Sequence, residues 1–199
     1  MNSVTELIDL SEDFIREFQD RVDWTLISNR QTLSEAFIRE FKDKVFWLGV
    51  SYNQRLSEDF IREFKDKVYW SYVSYFQTLS EDFIRKFQDG VDWKAISYKQ
   101  KLSEGFIREF KDKIDWYEIS YSQELSEAFI REFQDMVDWA LFGINPRVNY
   151  SLNFVLDFSS KIPSEWFERF INCYSENSVD CYSEYFRLRM VVNPSGSQE

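Results

Sequence analysis

The stretch LSEDFIREFQDRVDWTLISNRQT, from Leu10 to Thr32, holds the fold in outline. Ser11 stands where an N-cap belongs. Its hydroxyl can accept an orphan backbone N–H, and Glu12 and Asp13 suit the positive end of the helix that follows. Leu10 and Ile15 take the two positions of a hydrophobic staple. Phe14, Ile15, Phe18 and Val22 fall on one stripe at helical spacing, which predicts a helix A. Its expected length is about eleven residues, or ~16 Å. Asp23 repeats the device as a second cap, with Val22 and Ile27 as its staple. Trp24, Ile27, Ser28 and Gln31 share a face, so a short helix B follows and ends where the next Leu-Ser begins.

Working outward, the same unit returns every 23 residues. The tryptophans stand at Trp24, Trp47, Trp70, Trp93, Trp116 and Trp139, and the cap serines at Ser11, Ser34, Ser57, Ser80, Ser103 and Ser126. A short fixed period means that each unit packs on its neighbours in the chain. Helices this short are not stable alone, so stacking must hold them. The fold class read from this is all-α: an α-solenoid of short antiparallel helix pairs. Residues 1–9 read as an N-terminal capping helix, since Met1 and Val4 fall one period before Trp24 and Ile27. Residues 10–149 hold six αα repeats, the last with a two-residue insertion. Residues 150–192 read as a degenerate seventh repeat and C-terminal cap, and 193–199 as a flexible tail.

Several details depart from the pattern. Phe46 and Tyr69 replace the Asp at the helix B cap, a loss of ~1 kcal/mol that added aromatic burial could offset. Gly90 and Gly105 are expected to weaken their helices slightly. In the sixth copy Gly143 replaces the serine and Pro146 the glutamine, which should stop that helix B. Ser151, Phe154, Val155, Phe158 and Ile162 then restore the helix A pattern, displaced by two residues. Ser164 and Ser178 are candidate caps of further helices.

Composition narrows the function. Hydrophobic residues are 44% of the chain, too many for a disordered acidic tail. A formal charge of -11 argues against binding nucleic acid or an anionic membrane, whose phosphates would repel it. Met1–Leu10 does not read as a secretory leader, and there is no apolar run near ~18 residues, so a cytoplasmic protein is expected rather than a secreted or membrane-bound one. Cys173 and Cys181, the two cysteines, read as free thiols. There is no histidine, no phosphate-binding glycine loop and no Cys/His cluster. The acid pairs recur in every repeat, whereas an active site is one asymmetric constellation. No catalytic, cofactor-binding or metal residue is therefore assigned.

Two features invite a functional reading. Glu12, Arg16 and Asp20 stand four residues apart, and the same three types recur in all six copies. They read either as a solvated face with weak i,i+4 pairs or as a ladder in which each arginine meets an acid of the adjacent repeat. Asp20 near the negative end of its helix favours a specific partner. Helix B varies instead. One outward position holds Thr25, Leu48, Ser71, Lys94, Tyr117 and Ala140, and the next Leu26, Gly49, Tyr72, Ala95, Glu118 and Leu141. A third holds Tyr52, Tyr75, Tyr98 and Tyr121, pointing away from the Trp24–Ile27 stripe. These tyrosines are a candidate protein-binding face, since tyrosine is enriched at interfaces, although unselected drift and partial burial between neighbours fit as well. The tryptophans and the Gln31 series read as core, the glutamine amide satisfying linker backbone.

The motif LSEDFIREFKDKVDW, which Leu56 to Trp70 matches except for Tyr69 in place of Asp, resembles repeats in proteins of large DNA viruses of amoebae, marseillevirus- and mimivirus-like. The resemblance covers Leu10 to Trp139 and is weak beyond. It implies expression in a host cytoplasm or viral factory, or packaging in the virion, and it brings no activity and no catalytic residues. The function expected is a non-enzymatic acidic repeat scaffold that binds a viral or host protein. A structural virion component is the alternative, and an enzyme is the least supported reading.

Overall fold

The computed structural model describes residues 9–142, 145 and 151–163, and all secondary structure among them is α-helical. The A helices are α1 (Glu12–Glu17), α3 (Glu35–Glu40), α5 (Glu58–Glu63), α7 (Glu81–Lys86), α9 (Glu104–Glu109), α11 (Glu127–Glu132) and α13 (Leu152–Asp157). The B helices are α2 (Trp24–Arg30), α4 (Trp47–Asn53), α6 (Trp70–Phe76), α8 (Trp93–Lys99), α10 (Trp116–Ser122) and α12 (Trp139–Phe142). A and B alternate without a break, which is the repeat architecture of an α-solenoid. The chain divides into two compact units, Met1–Gln100 and Lys101–Glu199, each holding whole repeats in its described part.

Each A helix starts as its cap residues dictate. In α3 the Ser34 hydroxyl accepts from the Phe37 N–H, and the same bond opens α1, α5, α7, α9, α11 and α13. Asp23, Asp92 and Asp115 cap α2, α8 and α10 in the same way. Phe46 and Tyr69 give α4 and α6 no side-chain cap, and both rings are exposed. The burial expected to offset the lost cap bond is therefore partial, the rings remaining 37% and 45% exposed.

Helix A is six residues long, shorter than the expected eleven. The chain leaves it through a separate turn, in which the Lys44 and Val45 N–H groups both bond to the Phe41 carbonyl. Two further bonds hold the end of this turn. The Phe46 N–H, which would have continued the ladder to Lys42, instead donates to Ser28 Oγ of the preceding repeat at 2.9 Å. The Lys42 carbonyl in turn accepts from the Trp47 indole N–H at 2.9 Å. Gly90 falls in this turn rather than in a helix, so it does not weaken α7.

The core of one repeat is Leu33, Phe37, Ile38, Phe41, Val45 and Val50, all buried. Burying each such side chain contributes ~1.5–3 kcal/mol, which is what helices of this length need from their neighbours. Trp24 closes the seam to the next repeat, its ring centroid 4.9 Å from Phe41. In the first unit the repeats approach most closely along the B helices, with α2 against α4, α4 against α6 and α6 against α8. In the second, α10 packs against α12.

Polar ladders run inside this packing. Gln54 Nε2 donates to the Ser28 and Gln31 carbonyls at 3.1 and 2.8 Å, while its Oε1 accepts from the Leu33 N–H at 2.9 Å. Gln77 and Gln100 repeat all three bonds one and two units on. Each glutamine thus closes the carbonyl end of the preceding B helix and the linker after it. In the sixth copy Asn145, buried, donates to the Ser120 and Gln123 carbonyls at 3.1 and 2.9 Å. The amide role passes to Asn145, one residue before the Pro146 that counting by period puts in that place. The helix A of the displaced seventh unit is present: Ser151 caps α13, and Phe154, Val155, Phe158 and Ile162 are buried. The N-terminal cap (apart from Asp9), Gly143, Pro146, the helices expected from Ser164 and the tail lie outside the described residues.

Candidate protein-binding face

The exposed side chains of the repeat fall into two sets, one on the A segments and one on the B helices. On the A segments, charges link successive repeats. Arg16 Nε donates to Glu40 at 2.8 Å and Arg39 Nε to Glu63 at 2.7 Å, and each guanidinium lies over the next repeat's phenylalanine. In the second unit Arg108 meets Glu132 at 2.8 Å and Arg131 meets Asp157 at 2.7 Å. Asp20 is matched by Lys44, Asp43 by Lys67 and Asp135 by Lys161. The inter-repeat ladder is thus real, and i,i+4 pairs such as Arg16–Glu12 accompany it. The Glu40 carboxylate raises the Arg16 pKa above its ordinary value, and the hydrogen bond from Lys67 lowers that of Asp43.

One junction lacks these rungs. Where the fourth repeat should offer Glu and Lys, it holds Lys86 and Gly90. Arg62 keeps its own Asp59, but its Nε is a buried nitrogen without a hydrogen-bond partner. A Cβ on Gly90 would lie 3.2 Å from the Trp70 indole, the surface that lysines cover at Trp24 and Trp47.

The B helices of the first unit carry rings. Helix periodicity puts Val50, Ser51 and Gln54 inside, leaving the next positions of the turn to solvent. Tyr52 is 46% exposed, Tyr75 38%, Phe76 45% and Tyr69 45%. Tyr98 is half-buried. These rings touch one another: Tyr52 lies 4.4 Å from Phe76 and 5.4 Å from Tyr72, and Tyr75 lies 4.7 Å from Phe76 and 6.1 Å from Tyr98. Lys99 Nζ sits 4.4 Å from the Tyr75 ring centroid and 4.6 Å from that of Tyr98. In the second unit, Tyr121 is 40% exposed and Tyr117 55%.

The structure therefore brings Tyr52, Tyr75 and Tyr98 into one cluster within the first unit; Tyr121 belongs to α10 of the second. The second variable position, expected to face outward, lies instead at the seam between B helices. Gly49 and Ala95 are buried there, and a Cβ on Gly49 would stand 2.6 Å from Asn29 Oδ1. Tyr72, named above only as a variable position, belongs to the cluster, as do Phe76 and Lys99, which the sequence reading did not name. Reading the residue after each tyrosine, which is Asn53, Phe76, Lys99 and Ser122, would have found two of them.

Among the described residues no group of three or more His, Cys, Asp or Glu is placed to hold a metal ion, and no helix is long and apolar enough to cross a membrane. No family model, no curated protein and no solved structure matches the chain.

Proposed function

We propose that this protein is a non-enzymatic repeat scaffold that binds another protein through the outward face of its B helices. The observation that carries the reading is the contiguous ring cluster of Tyr52, Tyr72, Tyr75 and Phe76 on α4 and α6. Exposed apolar side chains gathered in one place mark interaction surfaces, whereas scattered ones do not. Aromatic rings give large contact area at low entropic cost, which suits binding. The A segments support the reading by contrast, since their charges are engaged in holding repeats together. The likeness of the repeat motif to proteins of amoeba viruses suggests a viral or host partner in the host cytoplasm, the viral factory or the virion.

The test replaces Tyr52, Tyr75, Tyr98 and Tyr121 together by serine and compares protein capture from cells expressing the chain. The variant is expected to lose a partner that the parent retains, with the far-UV circular dichroism nearly unchanged. Unchanged capture would overturn the reading. A collapse of the helical spectrum with capture intact would show that the rings serve the core.

A further inference from the structure

Resting on the B face as a binding surface, we propose that in the first unit this face takes an acidic, partly apolar segment of the partner protein. The net charge of -11 hides how the charges are sorted. Residues 24–32, 47–55, 70–78 and 93–100, the B segments of the first unit, carry Arg30, Arg55, Lys94 and Lys99 and no acidic residue. All four cations are exposed. The carboxylates of these repeats stand on the A segments and at the helix B caps. Even the cap acids are absent from the middle two repeats, where Phe46 and Tyr69 replace them and are 37% and 45% exposed. The B segments around the rings thus offer apolar area and positive charge and no carboxylate of their own.

The second observation is the seat of Lys99. Its ammonium lies against both Tyr75 and Tyr98, so a cation is held at the edge of the ring cluster. Carboxylates of the bound segment meet Lys99, and its aliphatic or aromatic side chains lie on Tyr52, Tyr72, Tyr75 and Phe76. The cations are complementary to an acidic partner and disfavour a basic one. The B segment of α10 in the second unit, with Glu118 and Glu124, has the opposite character.

Single-stranded nucleic acid, the other ligand that rings and cations suggest, fits less well. Base stacking needs an open ring face for each base. Here the rings are spent on one another, with centroids 4.4 to 6.4 Å apart and planes inclined at 35° to 87°.

The experiment selects short random phage-displayed peptides on the immobilised full chain, with the Phe76→Ser/Lys99→Glu variant as counter-target. Binders specific for the parent should be rich in aspartate and glutamate interspersed with aromatic or aliphatic residues. A fluorescent version of one should bind the variant about tenfold more weakly. Lys99→Glu alone removes no ring and carries the test if the double variant unfolds. Binders rich in lysine and arginine, neutral binders or none overturn the inference. So does oligouridylate binding more tightly than the best peptide. Sedimentation showing that the chain pairs with itself through Phe76 overturns it in favour of a second copy. If the peptides fail while tyrosine-dependent capture persists, only the acidic segment is lost; if both fail, the B-face reading falls too.

Discussion

The A segments and the B helices of the same repeats use their exposed side chains in opposite ways. On the A side, Arg16, Glu40, Lys44 and Asp20 reach across to the adjacent repeat and are paired there. On the B side, polar bonding between repeats is concentrated on the buried Gln and Ser positions, which frees the outward positions to differ from copy to copy. Inter-repeat adhesion on the B side is internal, and on the A side it lies at the surface. That difference teaches where sequence can vary without loss of the fold. It also explains why rings accumulate on α4 and α6 while the same three charged types recur on the first six A segments.

The strongest way to break this comparison is to remove an internal B-side amide. Gln77→Leu leaves the Leu56 N–H and the Ser51 and Gln54 carbonyls without their buried partner. Urea unfolding should show a loss of about 3 kcal/mol, since each unsatisfied buried group costs roughly 1–3 kcal/mol. A loss below that of a surface substitution would mean that water replaces the amide.

Ser51→Ala is next. Ser51 Oγ accepts from the Tyr69 N–H at 3.0 Å and donates to the Trp47 carbonyl. Its removal should cost about 1–2 kcal/mol and slow the exchange of the Tyr69 amide no longer. If that amide stays protected with unchanged stability, the serine ladder does not hold the turn before helix B.

Lys86→Glu sharpens the comparison from the A side by supplying the missing rung to Arg62. The site is partly exposed, so the gain should be roughly 0.5 kcal/mol, and it should vanish in an Arg62→Met background. A gain that survives that background would come from charge balance rather than from the pair.

The smallest effect is one of pH. Asp43 titrates below its ordinary range because Lys67 donates to it at 2.8 Å. A carboxylate depressed in the fold contributes stability present above the ordinary pKa of about 4 and lost as pH falls through the lower folded value. An NMR titration of Asp43 should move up toward the ordinary range in Lys67→Met. An unmoved titration would assign the shift to something other than the rung.

Much of this was legible before any coordinates. The caps at Ser11 and Asp23 and the amide role of the Gln31 series follow from residue type and spacing, whereas spacing left a solvated face and an arginine ladder as equal readings. The candidate face was half legible. Tyr52 and Tyr75 were found because they share a register, whereas Phe76 and Lys99 differ in type and join the cluster only when α6 and α8 lie side by side. Phe46 and Tyr69 were read as offset by burial, a judgement that needs the solvent side of the corner to be known.

The sequence by itself determined the period, the starts of the helices and the order of the elements, because a cap bond spans three residues and a stripe one or two turns. The tertiary structure alone decided what holds the turn after helix A, which residue supplies the sixth amide and which rings meet. Those outcomes depend on groups about one period apart, such as Ser28 Oγ with the Phe46 N–H and Asn145 with the Ser120 carbonyl. Which of two competing hydrogen-bond partners wins is settled only when stacking has brought both within reach.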